Sequence, residues 1–331
     1  MTLLETASQK GSIAIVASTL PAGFIVAQVE SMGIFKIVVM SSNLELSYRV
    51  IREKYPGVQV KLVPRGPLSQ IIFFAFMLLR ARLSGTRISI FHECCLPHLD
   101  LLLMLIRPHG FYFPLSTMSE WEEVSISQFK KAKFTYLLQT LNLDHRFRYF
   151  RSPGVGDNKI EYAISAKNYP ASIVAKDLSY ARGVTTLTAR KHEKSSQHIL
   201  FITSKSFVPD SVQVKMYITL IDISLAMGCL CSIKDHPNPI YRLNISHNSA
   251  FVCDPFVPAE LLEDDFDLIV GVSSTALLAY GNRSVSLVYM FPEMRKVDLD
   301  ACINAYDELT APDCKMRYVS TIDDFKELIL V

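Results

Sequence analysis

Three short stretches in the second half of the chain carry side chains suited to holding a phosphorylated ligand. The first is Lys234-Asp-His-Pro237, at the end of the apolar run Cys229–Ile233. Proline fixes its own φ and biases the preceding residue towards extended backbone, so His236 is aimed in one direction. A histidine beside a phosphate donates a hydrogen bond to it or protonates it as it leaves. An ordinary exit from a strand uses the same residues. The second stretch is Val257-Pro-Ala-Glu-Leu-Leu262. Glu260 suits the two hydroxyls of a ribose, and it equally suits the start of a short helix as a favourable acid. The third is Val270-Gly-Val-Ser-Ser-Thr-Ala276. Here Ser273 and Ser274 stand where a strand turns into a helix, and unpaired backbone N–H groups with two hydroxyls make a seat for one phosphate. Either serine also serves as a plain helix cap. Gly271 lets the backbone approach closely.

In this order and spacing the three stretches resemble the bacterial sialyltransferases of the GT-B type, including the polysialyltransferases and the lipooligosaccharide sialyltransferases. The resemblance runs from about His198 to Tyr289. It implies that this region binds CMP-sialic acid. His236 and Pro237 match the family's His-Pro motif, with His236 on the CMP phosphate and acting as acid for the leaving group. Ser273 and Ser274 match its paired serines on the same phosphate, and Glu260 matches the acid on the cytidine ribose. The resemblance further implies an oligosaccharide or glycolipid acceptor, inverting transfer, and no metal ion or cofactor.

The family's catalytic base is a carboxylate in an acidic pair followed by glycine, and no Asp-Gly or Glu-Gly occurs here. The best substitute lies in Phe91-His-Glu-Cys-Cys-Leu-Pro-His-Leu-Asp100. Glu93 follows a predicted strand, as a base facing the acceptor should, and a helix cap is its other reading. Asp100 is the second candidate, and His92 or His98 can assist. These four do not have the spacing of a known zinc motif. The stretch Ser116–Glu123, with Trp121, suits the acceptor side. A donor carboxylate needs a cation or polar nest, for which Lys205 and Ser204 are nearest. The changed base leaves room for a CMP-Kdo transferase or another nonulosonic acid. A CDP-polyol phosphotransferase also carries His-Pro and paired serines, but with Asp-Tyr before the serines where Gly271-Val272 stands. A nucleotide-sugar-binding protein that has lost its base is the reading from another class.

The elements that must position these residues alternate along the chain. Strands are predicted at Ile13–Ala17, Phe35–Met40, Val58–Val63 and Arg87–Phe91, separated by helices at Leu20–Met32, Leu44–Tyr55 and Ser69–Leu83. Continuous β-branched runs between helices indicate parallel sheets covered on both faces. The middle is predicted as one long helix, Gln128–Tyr149, then a strand at Lys159–Ala166. Alternation resumes with strands at His198–Thr203, Cys229–Ile233, Ala250–Cys253, Asp267–Val270, Val285–Tyr289 and Arg317–Val319. Helices are predicted at Val208–Met227, Pro258–Glu263, Ser274–Tyr280 and Ile322–Leu330. The fold class is therefore α/β, of the GT-B arrangement: two Rossmann-like domains facing across a cleft. Residues 1–185 form the acceptor-binding domain and 186–331 the CMP-sugar donor-binding domain.

The totals agree with an enzyme of this size. The 331 residues are 50% hydrophobic and 20% charged, enough for substantial cores. A net charge of +2 gives no reason to expect nucleic acid. The N-terminus lacks the pattern of a signal peptide, and the seven cysteines form no C-x-x-C pair, so the chain reads as cytoplasmic with reduced thiols. The apolar run Ile71–Leu79 is too short to span a bilayer. With Arg80, Arg82 and Arg87 beside it, the run fits a buried helix and also a peripheral contact with an anionic inner membrane.

Overall fold

The computed structural model describes residues 11–16, 22, 25–26, 29, 33–40 and 42–91. It also describes the strands 110–113, 122–124, 147–151, 160–164 and 176–177, and residues 196–330 apart from 238, 263–264 and 310–314. The chain forms two compact units. One comprises residues 1–21, 28–45 and 51–178, the other residues 22–27, 46–50 and 179–331.

The first sheet begins with β1 (Ser12–Val16), β2 (Ile34–Val39), β3 (Gln59–Leu62), β4 (Arg87–Phe91) and β5 (Gly110–Phe113). Among the described residues its long helices are α1 (Ser42–Lys54) and α2 (Pro67–Ser84), and residues 22, 25 and 26 are also helical. A separate antiparallel sheet is built from β6 (Glu122–Val124), β7 (Phe147–Arg151) and β8 (Ile160–Ile164). The last strand of this half, β9 (Lys176–Asp177), pairs with β5. The main sheet is parallel, in the order β3-β2-β1-β4-β5-β9. β1 is its central strand, and Ile13, Ala14, Ile15 and Val16 are all buried, as a strand covered on both faces must be. α2 buries Phe74, Met77, Leu78 and Ala81. It ends at Gly85, whose φ of 67° is the left-handed cap conformation that glycine adopts without a Cβ clash.

The predicted helix Gln128–Tyr149 is corrected at its end. Phe147–Arg151 holds three aromatic residues in five, a composition that favours a strand, and pairs antiparallel with β8. Residues 128–146 of that prediction lie outside the described residues.

The second sheet contains β10 (His198–Thr203), β11 (Leu230–Asp235), β12 (Phe251–Val252), β13 (Leu268–Gly271), β14 (Ser284–Ser286) and β15 (Arg317–Tyr318). Its helices are α3 (Asp210–Ala226), α4 (Lys296–Leu309) and α5 (Ile322–Leu330). All pairs are parallel, in the order β12-β11-β10-β13-β14-β15. Numbered within each unit, both sheets have the order 3-2-1-4-5-6 of a Rossmann fold. The second core gathers Phe201, Tyr217, Leu220, Ile233, Val270 and Phe325 between sheet and helices. Phe201 meets Tyr217 edge-on at 6.5 Å.

Two expected helices are wound more tightly than predicted. Pro258–Glu263 contains one 3-10 turn, Ala259–Leu261. After β13 the chain runs as a 3-10 segment, Thr275–Arg283, interrupted at Gly281. Its first hydrogen bond spans three residues, from Leu277 N to Ser274 O at 3.1 Å. This crossover is short, and each residue in 3-10 form rises about 2.0 Å against about 1.5 Å in α form, so the turns before Gly281 reach further with the same residues. α4 was not foreseen. No described helix is long and apolar enough to cross a membrane.

Candidate functional site

In an open parallel sheet, ligands bind where the strand order reverses, at the C-terminal ends of the strands. In the second unit that point lies between β10 and β13. The register puts Ile202 level with Lys234 on one side and Gly271 on the other. The three predicted stretches leave the sheet at or beside this edge.

β11 runs two residues further than predicted, so Lys234 and Asp235 are strand residues and His236 is the first residue beyond. Asp235 is buried and its carboxylate organises the loop that follows. It accepts from the Thr203 hydroxyl at 3.0 Å, from His236 N at 3.0 Å, from Leu243 N at 3.1 Å and from Asn244 N at 2.7 Å. Arg242 clamps the same loop from its other end. Its Nε donates to the His236 carbonyl at 2.8 Å and its Nη2 to the Pro237 carbonyl at 2.9 Å, while the guanidinium lies over Phe256 at 4.8 Å. The His236 ring meets Tyr241 edge-on at 5.3 Å. The backbone of His236 and Pro237 is thus held by residues on both sides.

Lys234 is buried, and its Nζ donates to the carbonyls of Asp235 at 2.6 Å and Pro255 at 3.0 Å. Burial pushes its ammonium down to about 8. The bond to Pro255 ties the end of β11 to the segment that carries Glu260. Glu260 is itself buried, and burial lifts its carboxyl to about 7 against the hydrogen bond from its own backbone N–H. Tyr280 closes the ring of contacts by donating to the Ala259 carbonyl at 2.5 Å.

Beyond β13, four groups fix the serine turn. The Tyr217 hydroxyl, on α3, accepts from Val272 N at 3.2 Å and donates to the Ile202 carbonyl at 2.9 Å, bridging the two strand ends at the reversal point. Ser286 donates to the Val272 carbonyl at 2.9 Å, and Tyr306 of α4 donates to the Ser274 carbonyl at 3.1 Å. The Ser274 hydroxyl accepts from Ala276 N at 3.4 Å and so caps the 3-10 segment. Both serines are partly exposed. Gly271 serves a close approach within the protein: a Cβ there would lie 3.2 Å from the Ile202 carbonyl and 3.5 Å from Leu277.

β11 and β13 flank β10, so at about 4.8 Å per strand their ends lie about 10 Å apart. A phosphate hydrogen-bonded on two sides at about 2.8 Å, together with the length of a histidine side chain, spans such a gap. Lys205, the cation expected to meet a donor carboxylate, lies two residues beyond β10. Its Nζ pairs with Asp210 at 3.1 Å, and both side chains are well exposed. Ser204, next to it, is buried. Among the described residues no three His, Cys, Asp or Glu side chains gather as metal ligands. His92, Glu93, His98, Asp100 and Trp121 lie outside the described residues.

Asp235, Arg242, Tyr217 and Tyr306 were not foreseen as site residues. Only Asp235 left a signal, as an acid beside the His-Pro pair.

No family model and no curated protein matches this chain. It is similar to several solved structures. The UDP-GlcNAc 2-epimerase from Neisseria meningitidis bound to UDP-GlcNAc aligns at 8% identity over 97% of this chain and 98% of that one, with a TM-score of 0.46. The Staphylococcus aureus MnaA–UDP structure aligns at 12% identity over 84% and 79%, with a TM-score of 0.47. A family 9 glycosyl transferase from Veillonella parvula aligns at 10% identity over 90% and 97%, with a TM-score of 0.38. Likeness at this level does not transfer a ligand or a reaction.

Proposed function

We propose that this chain is a glycosyltransferase that moves sialic acid, or a related nonulosonic acid, from a CMP donor to an oligosaccharide or glycolipid acceptor. One observation carries the reading. The His236-Pro237 turn and the Ser273-Ser274 turn flank the reversal point of a 3-2-1-4-5-6 sheet, and the backbone of each is held by side-chain hydrogen bonds, from Asp235 and Arg242 at the first and from Tyr217 and Tyr306 at the second. Donors held in place before the ligand arrives stabilise charge without reorganising, which is often the largest catalytic contribution.

In this reading the donor phosphate sits between the two turns, and Glu260 accepts hydrogen bonds from the ribose. Glu93 takes the proton from the acceptor hydroxyl. The acceptor oxygen attacks the anomeric carbon as the bond to the CMP phosphate breaks. His236 and the serines meet the charge gathering on the departing phosphate, and the sugar's own carboxylate balances the positive charge on its ring. Two Rossmann-like units in one chain suit a GT-B enzyme with donor and acceptor on different units.

Calorimetric titration with CMP tests this, with UMP, UDP and GDP as controls. The parent should bind CMP selectively. His236→Ala and Ser273→Ala should each weaken binding about tenfold, the loss of a hydrogen bond to a charged group. Ser274→Ala is a less clean probe because its hydroxyl also caps the 3-10 segment. Equal affinity for a uridine nucleotide would remove the CMP reading. Retained CMP binding with lost transfer in Glu93→Gln would support Glu93 as the base, whereas unchanged transfer would exclude it.

A further inference from the structure

α2 has two apolar faces, and the core uses only one of them. At about 100° per residue, the buried Phe74, Met77, Leu78 and Ala81 share one side of the helix. Leu68, Ile72, Phe76, Leu79 and Leu83 fall within an arc of about 80° on the opposite side. All five are open to solvent, with 70%, 61%, 68%, 57% and 81% of their surface exposed. Isolated exposed leucines are ordinary, but five large side chains in one unbroken row along four turns are a patch.

The charges beside this row are of one sign. Arg80 and Arg82 are exposed and flank it, about 80° to either side of its centre line. Arg65 precedes the helix and Arg87 follows it, both exposed, and α2 itself contains no acidic residue. On the Arg80 side, Lys61 places its ammonium 5.3 Å from the Phe73 ring. Partial burial, with the charges of Lys61 and Arg80, pushes the neighbouring Lys36 below the usual lysine range, which marks a cluster of cations rather than of ion pairs.

We propose that α2 is a membrane-docking helix. It lies flat on an anionic phospholipid surface, with the row from Leu68 to Leu83 among the acyl chains and Arg80 and Arg82 on the headgroups. This is the pattern of an interfacial helix, with apolar side chains on one face and basic ones at its margins. The helix lies on the bilayer and does not span it, since its other face belongs to the core. Charge favours lipid over a second copy of this chain. A two-fold contact through this face brings Arg80 and Arg82 towards their own copies, whereas an anionic surface neutralises them. The inference is independent of the nucleotide reading, and its variants lie outside the second sheet.

Flotation of the full chain with lipid vesicles tests it. The parent should float with vesicles of phosphatidylcholine mixed with phosphatidylglycerol. It should float about tenfold less with phosphatidylcholine alone or at high salt, which screens the headgroup charge. Ile72→Ser with Phe76→Ser, and separately Arg80→Glu with Arg82→Glu, should each reduce flotation about tenfold. These side chains are exposed, and far-UV circular dichroism matching the parent keeps the comparison one of surface alone. No flotation of the parent with anionic vesicles, or undiminished flotation of either variant, overturns the proposal. So does a concentration-dependent dimer in sedimentation velocity that Ile72→Ser with Phe76→Ser abolishes, since the face would then belong to a second copy.

Discussion

At the scale of single residues, two buried groups near the serine turn give measurable consequences. Burial lifts the Glu260 carboxyl from its ordinary 4.5 to about 7. Between those values the folded chain keeps a proton that the unfolded chain has released. Glu260 therefore adds stability that is complete below pH 4.5 and is lost as pH rises through about 7. The swing is about 3 kcal/mol at about 1.4 kcal/mol per pH unit. Urea unfolding at several pH values should show the parent losing this amount relative to Glu260→Gln between pH 4.5 and 7.5. A constant difference would mean that Glu260 is better solvated than its burial indicates. Tyr217 gives the second consequence. Tyr217→Phe strands the Ile202 carbonyl and the Val272 N–H in the interior, at a cost of about 2 kcal/mol. Its urea midpoint should fall, and its CMP affinity should fall with it, because Val272 leads directly into Ser273. A lower midpoint with unchanged affinity would show that the tie is structural only.

At the scale of elements, one carboxylate holds both ends of the loop from His236 to Asn244, with Arg242 clamping its start. Asp235 collects one hydroxyl and three backbone N–H groups. Asp235→Ala should cost about 3 kcal/mol, and Asp235→Asn less, because the amide keeps one acceptor oxygen. Amide hydrogen exchange at Leu243 and Asn244 should accelerate in both variants, and unchanged exchange there would show that the loop holds by other means. The inner strands of both sheets were legible, two of them to the residue. His198–Thr203 and Arg87–Phe91 are observed as predicted, and β1 and β13 lie one residue from their predicted bounds, because short runs rich in isoleucine, valine, leucine and phenylalanine between helices signal covered strands. The connection after β13 was less legible. Its apolar run Ala276–Tyr280 reads as an α-helix, but the short crossover and the carbonyls captured by Tyr306 and Ser284 stretch it into 3-10 form.

At the scale of the whole molecule, each unit has a parallel sheet with its own buried side chains. Thermal unfolding should then depart from a single two-state transition. CMP at about 100 times its dissociation constant should stabilise by about 2.7 kcal/mol, and only in the transition that belongs to the second unit. Scanning calorimetry with and without CMP decides this. A shift of every transition together would mean that the units unfold as one.

The sequence by itself determined the α/β class and most of both sheets, because hydrophobic periodicity is a local property that survives in any order of strands. It also marked the His-Pro, Glu260 and paired-serine stretches, because proline, glycine and serine impose turn chemistry wherever they stand. Only the tertiary structure decided that both sheets share one strand order, and that His236 and Ser273 leave the second sheet on either side of its reversal point. It alone supplied Tyr217, Tyr306 and Arg242 as the groups that hold these turns. Tyr217 and Tyr306 bond residues 55 and 32 positions away in the chain. It alone revealed the second face of α2 as exposed, since an apolar residue carries no mark of which side will be covered. Periodicity tells a helix that it has a face, but only packing selects which face is buried.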